Sequence, residues 1–188
     1  MLVGYLLRGD DNGGFMLPED TEGLVCPACG RKTDPDYIDP TFRVKRRRYE
    51  FSVTYDGYDI ASRRFKEFCE ARAWEGIEFV ALPGDPDFFW MRVENVLEVH
   101  PEHGNVEREK FCRQCGVYAS IFGGPMCLKG IVSPLPDGFY RTDVEFASGI
   151  NQHPLIILGL EAGEAIEAQR FRGTAVRKIN ACPECLAG

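Results

Sequence analysis

The sequence predicts an α+β fold in which mostly antiparallel strands accompany two main helices. Three observations indicate this class. Short runs rich in β-branched and aromatic residues recur between turns that contain glycine or proline, which is typical of strands. Two segments place apolar residues at helical spacing. Three Cys-x-x-Cys pairs are spread along the 188 residues, and this spacing is typical of metal knuckles that staple a fold together.

The first half of the chain predicts strands around one helix. Residues 1–8 alternate loosely as a strand, and YEFSV is a second strand-like run. The segment 59–72 has apolar residues at helical spacing, with Asp59 or Ser62 available as N-cap. Cys69 lies on the apolar face of this helix, so we expect it to be a buried packing residue. The runs IEFVAL, FFWMRV and NVLEVH then predict a three-stranded meander.

The second half predicts further strands and a distinct C-terminal unit. VYASIF and FYRTDVEF have the pattern of strands, and PLIILG, a helix over Glu161–Arg170 and GTAVRKI follow in the order strand, helix, strand. This order permits a parallel crossover. We therefore divide the chain into a knuckle-containing α+β region, 1–130, and a strand-helix-strand unit, 131–188, packed as one globular body.

Composition restricts the class of protein. The chain is 44% apolar and 12% aromatic, has a formal net charge of −7 and contains eight cysteines. We find no apolar stretch of the roughly 18 residues that a membrane span needs, and the N-terminal run predicts a strand rather than a signal peptide. We therefore expect a cytoplasmic protein, where paired cysteines serve metal ions rather than disulfides. The acidic balance argues against nucleic acid as the partner and suits a basic protein.

The three cysteine pairs are the strongest chemical signal in the sequence. Two intervening residues allow both thiolates of a pair to face one tetrahedral ion, and Zn²⁺ is the ion expected for such knuckles. A glycine that follows each of the first two pairs relieves the tight turn. The predicted zinc ligands are Cys26, Cys29, Cys112, Cys115, Cys182 and Cys185.

The sequence leaves the grouping of these pairs open. The two CxxCG knuckles can form one four-thiolate site, and the third pair then needs partners among His100, His103 and Cys127. Alternatively, the C-terminal pair joins one knuckle and fastens the tail to the body of the protein. For each histidine alone, a surface role is the simpler interpretation.

Catalytic motifs give little support to an enzyme. His100-Pro101-Glu102 followed by Cys112 and Cys115 is similar to the H-x-E and P-C-x-x-C motifs of zinc-dependent deaminases. Only nine residues separate Glu102 from Cys112, however, and a phenylalanine takes the place of the proline. No nucleophile elbow, phosphate-binding glycine loop or H-E-x-x-H motif is present in the sequence. We therefore expect no catalytic residues.

One dense basic run, Lys45 to Arg48, is the remaining charged feature. In an acidic chain a solvated loop or strand edge is the simpler interpretation of such a run. Binding of nucleic acid through these side chains is the alternative.

Several features together resemble one family. They are the early CPACG, a helix with the sequence FKEFCEAR, an HP-containing segment before CRQCG, and the ending LIILGLEAGEAIEAQRFRGTAVRKI. The chain is similar over most of its length to the double-CXXCG motif immunity proteins of bacterial polymorphic toxin systems. His103 stands where relatives often have cysteine, and the terminal CPEC is an additional pair. The resemblance implies a protein that binds and neutralises a cognate toxin and catalyses no reaction.

The sequence thus yields one leading hypothesis and two alternatives. The leading hypothesis is a zinc-stabilised immunity protein that binds a basic toxin domain through an acidic surface. The first alternative is a zinc-ribbon module that binds nucleic acid or acts as an adaptor. The second is a zinc-dependent hydrolase or deaminase that uses Glu102 as a proton shuttle.

Overall fold

The computed structural model describes residues 1–103, 106–123 and 127–186. The strands in these ranges are β1 (Leu2–Asp11), β2 (Phe51–Val53), β3 (Asp59–Ser62), β4 (Ile77–Ala81), β5 (Phe88–Val93), β6 (Val96–Leu97), β7 (Glu107–Cys112), β8 (Val117–Phe122), β9 (Phe139–Ser148), β10 (His153–Leu158) and β11 (Thr174–Asn180). The helices are α1 (Arg63–Glu70), α2 (Leu160–Gln169) and the short α3 (Pro183–Leu186), and a 3₁₀ turn spans Gly149–Asn151.

The strands form a single mixed sheet. Its order is β4-β5-β3-β2-β1-β10-β9-β8-β7, while β11 pairs with β1 and β6 pairs with β9. Within the described ranges the pairing is antiparallel except between β1 and β2 and between β6 and β9. The predicted α+β class, with mostly antiparallel strands and two main helices, is therefore confirmed.

The two strands of the C-terminal strand-helix-strand unit pair with β1 on either side. Strands β10 and β11 are both antiparallel to β1, so they run parallel to each other with β1 between them. Helix α2 connects them and buries Ala162, Gly163 and Ile166. A Cβ atom on Gly163 would lie 2.2 Å from Cδ2 of Tyr5 in β1, so glycine allows the helix to approach the strand closely. The elements follow the predicted order of strand, helix and strand. Both strands belong to the same sheet as the strands from the rest of the chain.

Three buried clusters make up the hydrophobic core. The largest lies between the sheet and helices α1 and α2 and includes Phe51, Phe65, Phe139, Leu158 and Ile166. The second cluster includes Tyr58 and Ile60. The third cluster includes Val3 and Ile157. Among the described residues, none of the three clusters includes a side chain from 19–36 or from 107–122. These two segments must therefore be held in place by something other than the core.

The first helix is shorter than predicted, because residues 59–62 form β3 instead. This strand pairs with both β2 and β5, so strand pairing satisfies the backbone where helical spacing indicated a helix. Helix α1 then begins after Ser62, whose hydroxyl accepts the N–H of Phe65 at 3.2 Å. Ser62, one of the two candidate caps, is the N-cap. Cys69 is 1% exposed within the main cluster, which confirms its role in packing.

The predicted meander is wrong in its third strand. Strands β4 and β5 form an antiparallel hairpin, but the run NVLEVH contributes only β6, which pairs in parallel with β9. Asn95 ties this run to β9: its side-chain amide donates to the carbonyl of Phe139 at 3.2 Å, and its backbone carbonyl accepts the N–H of Arg141 at 2.8 Å.

None of the helices that the structure describes is long and apolar enough to cross a membrane.

Candidate metal centres

The first cysteine pair lies in a tight turn within the long loop that connects β1 to β2. An isolated bridge between Val25 and Lys32 closes this turn. Within it, the N–H of Cys26 donates to the carbonyl of Arg31 at 2.8 Å, and the N–H of Gly30 donates to the carbonyl of Cys26 at 2.8 Å. Gly30 has a φ of +73°, which glycine adopts without the strain of a side chain. The turn therefore has the shape of a metal knuckle.

The second pair repeats this arrangement at the tip of the hairpin formed by β7 and β8. Cys112 ends β7, and Cys115 lies in the turn. The N–H of Gly116 donates to the carbonyl of Cys112 at 2.9 Å, and Gly116 has a φ of +71°. The same hydrogen bond and the same glycine conformation thus occur in both knuckles, as their common CxxCG sequence predicts.

The two knuckles meet in space and form the first centre, Cys26, Cys29, Cys112 and Cys115. The sulfur atoms of Cys26 and Cys112 are 4.0 Å apart, and those of Cys29 and Cys115 are 3.7 Å apart. All four lie within 4.8 Å of one another. Bonds of about 2.3 Å to a tetrahedral Zn²⁺ place two thiolates about 3.8 Å apart, whereas a disulfide needs about 2.05 Å. The spacing fits one metal ion.

Two basic side chains hold the first knuckle against the sheet. Arg31 forms an ion pair with Glu145 of β9 at 2.6 Å. The ammonium of Lys32 donates to the carbonyl of Asp56 and to those of Ile150 and Gln152 at 3.2 and 3.1 Å. Burial lowers the pKa of Lys32, and the charge of Asp56 opposes this effect. Sequence reasoning missed both anchors, since they follow the knuckle without any recognisable motif.

Hydrogen bonding among the thiols of the first centre lowers the pKa of one thiol and raises the pKa of another. The Cys115 thiol lowers the pKa of Cys26 to about 7, although burial works in the opposite direction. The same contact raises the pKa of Cys115 to about 12. A thiolate at Cys26, surrounded by three further sulfur atoms, is a suitable first ligand for a cation, since the thiolate is the form that binds metal.

A second group of metal-binding side chains lies elsewhere in the fold. This second centre consists of His103, Cys127, Cys182 and Cys185, whose ligand atoms also lie within 4.8 Å of one another. The sulfur atoms of Cys127 and Cys185 are 3.5 Å apart. Burial raises the pKa of Cys127, and the neighbouring thiols of Cys182 and Cys185 add to this increase. No disulfide joins any of the eight cysteines, all of which lie in the described ranges.

The structure therefore selects one of the two groupings that the sequence left open. The two CxxCG knuckles share the first centre, and the C-terminal pair joins His103 and Cys127 in the second. His100 belongs to neither group within the described part of the chain. All six predicted ligands are thus members of groups that could hold a metal ion. The sequence could name His103 and Cys127 only as candidates, because nothing in HPEH distinguishes its two histidines.

The deaminase-like motif and the basic run at residues 45–48 contribute no further ligand to either centre among the described residues. The arrangement expected of a deaminase is not formed, because Cys112 and Cys115 are grouped with two other cysteines and not with His100. The basic run lies in a loop, as expected. There, Arg47 forms ion pairs with Asp85 at 2.5 Å and Asp87 at 3.1 Å.

No protein-family model matches the chain, and no curated protein matches it either.

Proposed function

We propose that the chain is a zinc-stabilised immunity protein that binds and neutralises a cognate bacterial toxin. The observation that carries this proposal is the first centre, where two CxxCG knuckles from remote parts of the chain supply four thiolates to one position. Tetrahedral thiolate sites select zinc or iron. Four protein ligands also fill the coordination shell of Zn²⁺, which is typical of a structural rather than a catalytic site.

The metal would serve to hold an acidic segment in place. Residues 19–36 carry five acidic and two basic side chains and contribute nothing to the three core clusters of the described structure. Both basic side chains, Arg31 and Lys32, are engaged within the protein. The carboxylates of Glu19, Asp20 and Glu22 lie in exposed residues. The segment therefore offers a negative surface that the first centre would fix near its middle, at Cys26 and Cys29.

An acidic surface of this kind suits a basic partner. Opposite potentials speed association and disfavour partners of the wrong charge. Four thiolates around one Zn²⁺ also leave about two negative charges at the first centre, which add to the formal −7 of the chain. The basic run offers less to a nucleic acid, because Arg47 is paired with carboxylates and the guanidinium of Arg46 donates to the carbonyl of Asp11 at 2.7 Å.

Two experiments test the proposal. The first is metal analysis of the purified protein, where zinc bound at the first centre is expected and a coloured, iron-loaded protein would contradict the choice of metal. The second is co-expression with the product of the neighbouring gene. We expect that product to inhibit growth alone and to form a complex that survives size-exclusion chromatography. A harmless product, or the absence of a complex, would refute the immunity function.

Charge reversal locates the binding surface. Glu19→Lys combined with Glu22→Lys is expected to slow association with the toxin at least about tenfold at low salt, because it inverts the potential of the acidic segment. Glu161→Lys combined with Glu167→Lys on helix α2 is the matched control, since it makes the same change of charge at two other exposed glutamates. Equal effects of the two pairs would show that net charge, not the acidic segment, governs binding.

A further inference from the structure

We propose that His103, Cys127, Cys182 and Cys185 bind a second Zn²⁺ ion, with His103 coordinating through Nδ1, and that this ion fastens the C-terminus and the base of the β7–β8 hairpin. Three separate segments supply the ligands, and their ligand atoms lie within 4.8 Å of one another. The distance of 3.5 Å between the sulfur atoms of Cys127 and Cys185 is close to the value of about 3.8 Å for thiolates on one tetrahedral zinc.

The choice of histidine nitrogen rests on an orphaned polar atom. Nδ1 of His103 is buried and has no hydrogen-bond partner in the described structure. Such an atom is costly in a folded protein unless it is satisfied. Because the imidazole lies beside three cysteine sulfurs, coordination of a cation gives this lone pair its partner.

His100 has a different role. Its Nδ1 accepts the backbone N–H groups of Glu102 at 3.3 Å and His103 at 3.2 Å, so it closes the turn that carries the ligand. The two imidazole rings stack with centroids 3.8 Å apart and planes 6° from parallel. We assign His100 as a positioning residue that holds the His103 ring toward the sulfurs.

Backbone contacts join two of the ligand segments, and apolar packing joins the third to them. The N–H of His100 donates to the carbonyl of Cys127 at 2.8 Å, and Val99 forms an isolated bridge with Leu128. Ala181, which precedes Cys182, is buried in the same apolar cluster as Leu128. Helix α3, which carries Cys185, has only four residues and is far too short to be stable alone. The ion would supply the fixed point that this terminal turn lacks.

Two ligands of the second centre flank, in sequence, the hairpin that carries Cys112 and Cys115. His103 precedes β7 and Cys127 follows β8, while Cys112 and Cys115 form the tip. The two centres share no ligand. Each ion should therefore bind independently, one with four thiolates and the other with three thiolates and one imidazole.

The number of ions per chain is the first test. Native mass spectrometry of the full-length protein is expected to show two zinc ions. Cys182→Ser combined with Cys185→Ser should remove one ion, and Cys26→Ser combined with Cys29→Ser should remove the other. One zinc in the wild type, or iron in place of zinc, would overturn the proposal. Circular dichroism of each variant checks that the sheet remains folded.

Three single variants test the ligand assignment without removing a cysteine. His103→Ala is expected to lose the second ion, whereas His103→Cys retains two because thiolate replaces imidazole. His100→Ala should also retain two ions but lose one to a chelator about 10–100-fold more readily, as is usual when a residue that orients a ligand is removed. If His103→Ala keeps two ions, the assignment of His103 as a ligand is wrong. If His100→Ala keeps only one ion, the assignment of His100 as a positioning residue is wrong.

Cobalt substitution provides an independent readout. The visible spectrum of the Co²⁺ protein should contain contributions from a site with four thiolates and from a site with three thiolates and one imidazole, and the latter should shift in His103→Cys. A spectrum that does not change in this variant would contradict coordination by His103. None of these measurements involves the toxin, so their failure would leave the immunity function untouched, and failure of the toxin experiments would leave the second centre untouched.

Discussion

Replacement of Cys112 by serine should destabilise the β7–β8 hairpin locally while the rest of the protein remains folded. The β7–β8 hairpin pairs with β9 through Ser120 and Ile121, and its described residues contribute nothing to the three core clusters. A hairpin with so little support is marginal in water. Cys112→Ser removes one of the four thiolates at its tip, so the first centre should no longer retain its ion against a chelator.

The free energy by which the metal stabilises the hairpin can be estimated from the length of chain between Cys26 and Cys112. Cys26 and Cys112 are 86 residues apart in sequence, and the loop-entropy relation for a cross-link of this span gives about 4.6 kcal/mol. This is an upper limit, because the ion pair between Arg31 and Glu145 and the pairing of β8 with β9 already restrict the loop. We expect roughly 2–4 kcal/mol, which corresponds to about 30- to 1,000-fold faster exchange of the hairpin amides.

Hydrogen exchange followed by mass spectrometry measures this prediction segment by segment. Cys112→Ser should lose protection over 107–122, while amides of β1, β10 and α2 change less than about tenfold. Excess chelator would remove both ions, so the wild type treated in this way should lose at least as much protection over 107–122 as the variant. Cys69→Ser is the control, because Cys69 is a buried core residue outside both centres and should leave the hairpin protected. If the hairpin of Cys112→Ser stays protected, or the core loses protection equally, the metal is not what holds the hairpin.

Three further predictions concern the core and are measured by urea unfolding. Burial raises the pKa of Asp59 to about 7, so the wild type should lose stability as pH rises from about 4 to 7, where the unfolded chain gives up its proton first. Asp59→Asn should remove most of that loss, for which a pKa shift of this size sets an upper limit of about 4 kcal/mol; an unchanged pH profile would contradict it. Gly163→Ala should cost about 1–3 kcal/mol, because its methyl group would overlap the Tyr5 ring; a neutral effect would show that helix α2 can move away. Asp56→Ala should cost about 2–4 kcal/mol, since the buried carboxylate accepts two backbone N–H groups at 2.9 and 2.8 Å, and Asp56→Asn, which keeps one acceptor, should cost less.

The knuckles were predictable from sequence because their determinants are local. Two cysteines separated by two residues, followed by glycine, specify a turn whose hydrogen bond closes within five residues, and both Gly30 and Gly116 have the positive φ that this turn requires. The grouping of knuckles depends instead on the sheet. Cys26 and Cys112 meet because Arg31 binds Glu145 of β9 while β8 pairs with the same strand, and periodicity contains no information on that pairing.

The sequence could not predict which histidine joins the second group or where helix α1 begins. His100 and His103 are equivalent in sequence, and they differ only because two backbone N–H groups occupy Nδ1 of His100. Residues 59–62 have helical spacing, but pairing of β3 with strands on both sides overrides it. Hydrogen bonds inside the turn at residues 100–103 distinguish the two histidines, whereas strand pairing between remote segments sets the start of helix α1. The spacing of residues along the sequence predicts neither.

Metal ions in both groups would explain how a segment outside the core can be held in place. Phe111, Tyr118 and Phe122 are 55%, 36% and 47% exposed on the β7–β8 hairpin, so this hairpin cannot be held by burying its own aromatic side chains. An ion at its tip and a second at its base would fix both ends of a strand roughly 20 Å long. Each group offers four side chains that could bind a metal ion, and four protein ligands would fill the coordination shell of Zn²⁺. Metal ions bound in this way would replace a hydrophobic core, and the side chains that a core would have buried would remain available to a partner.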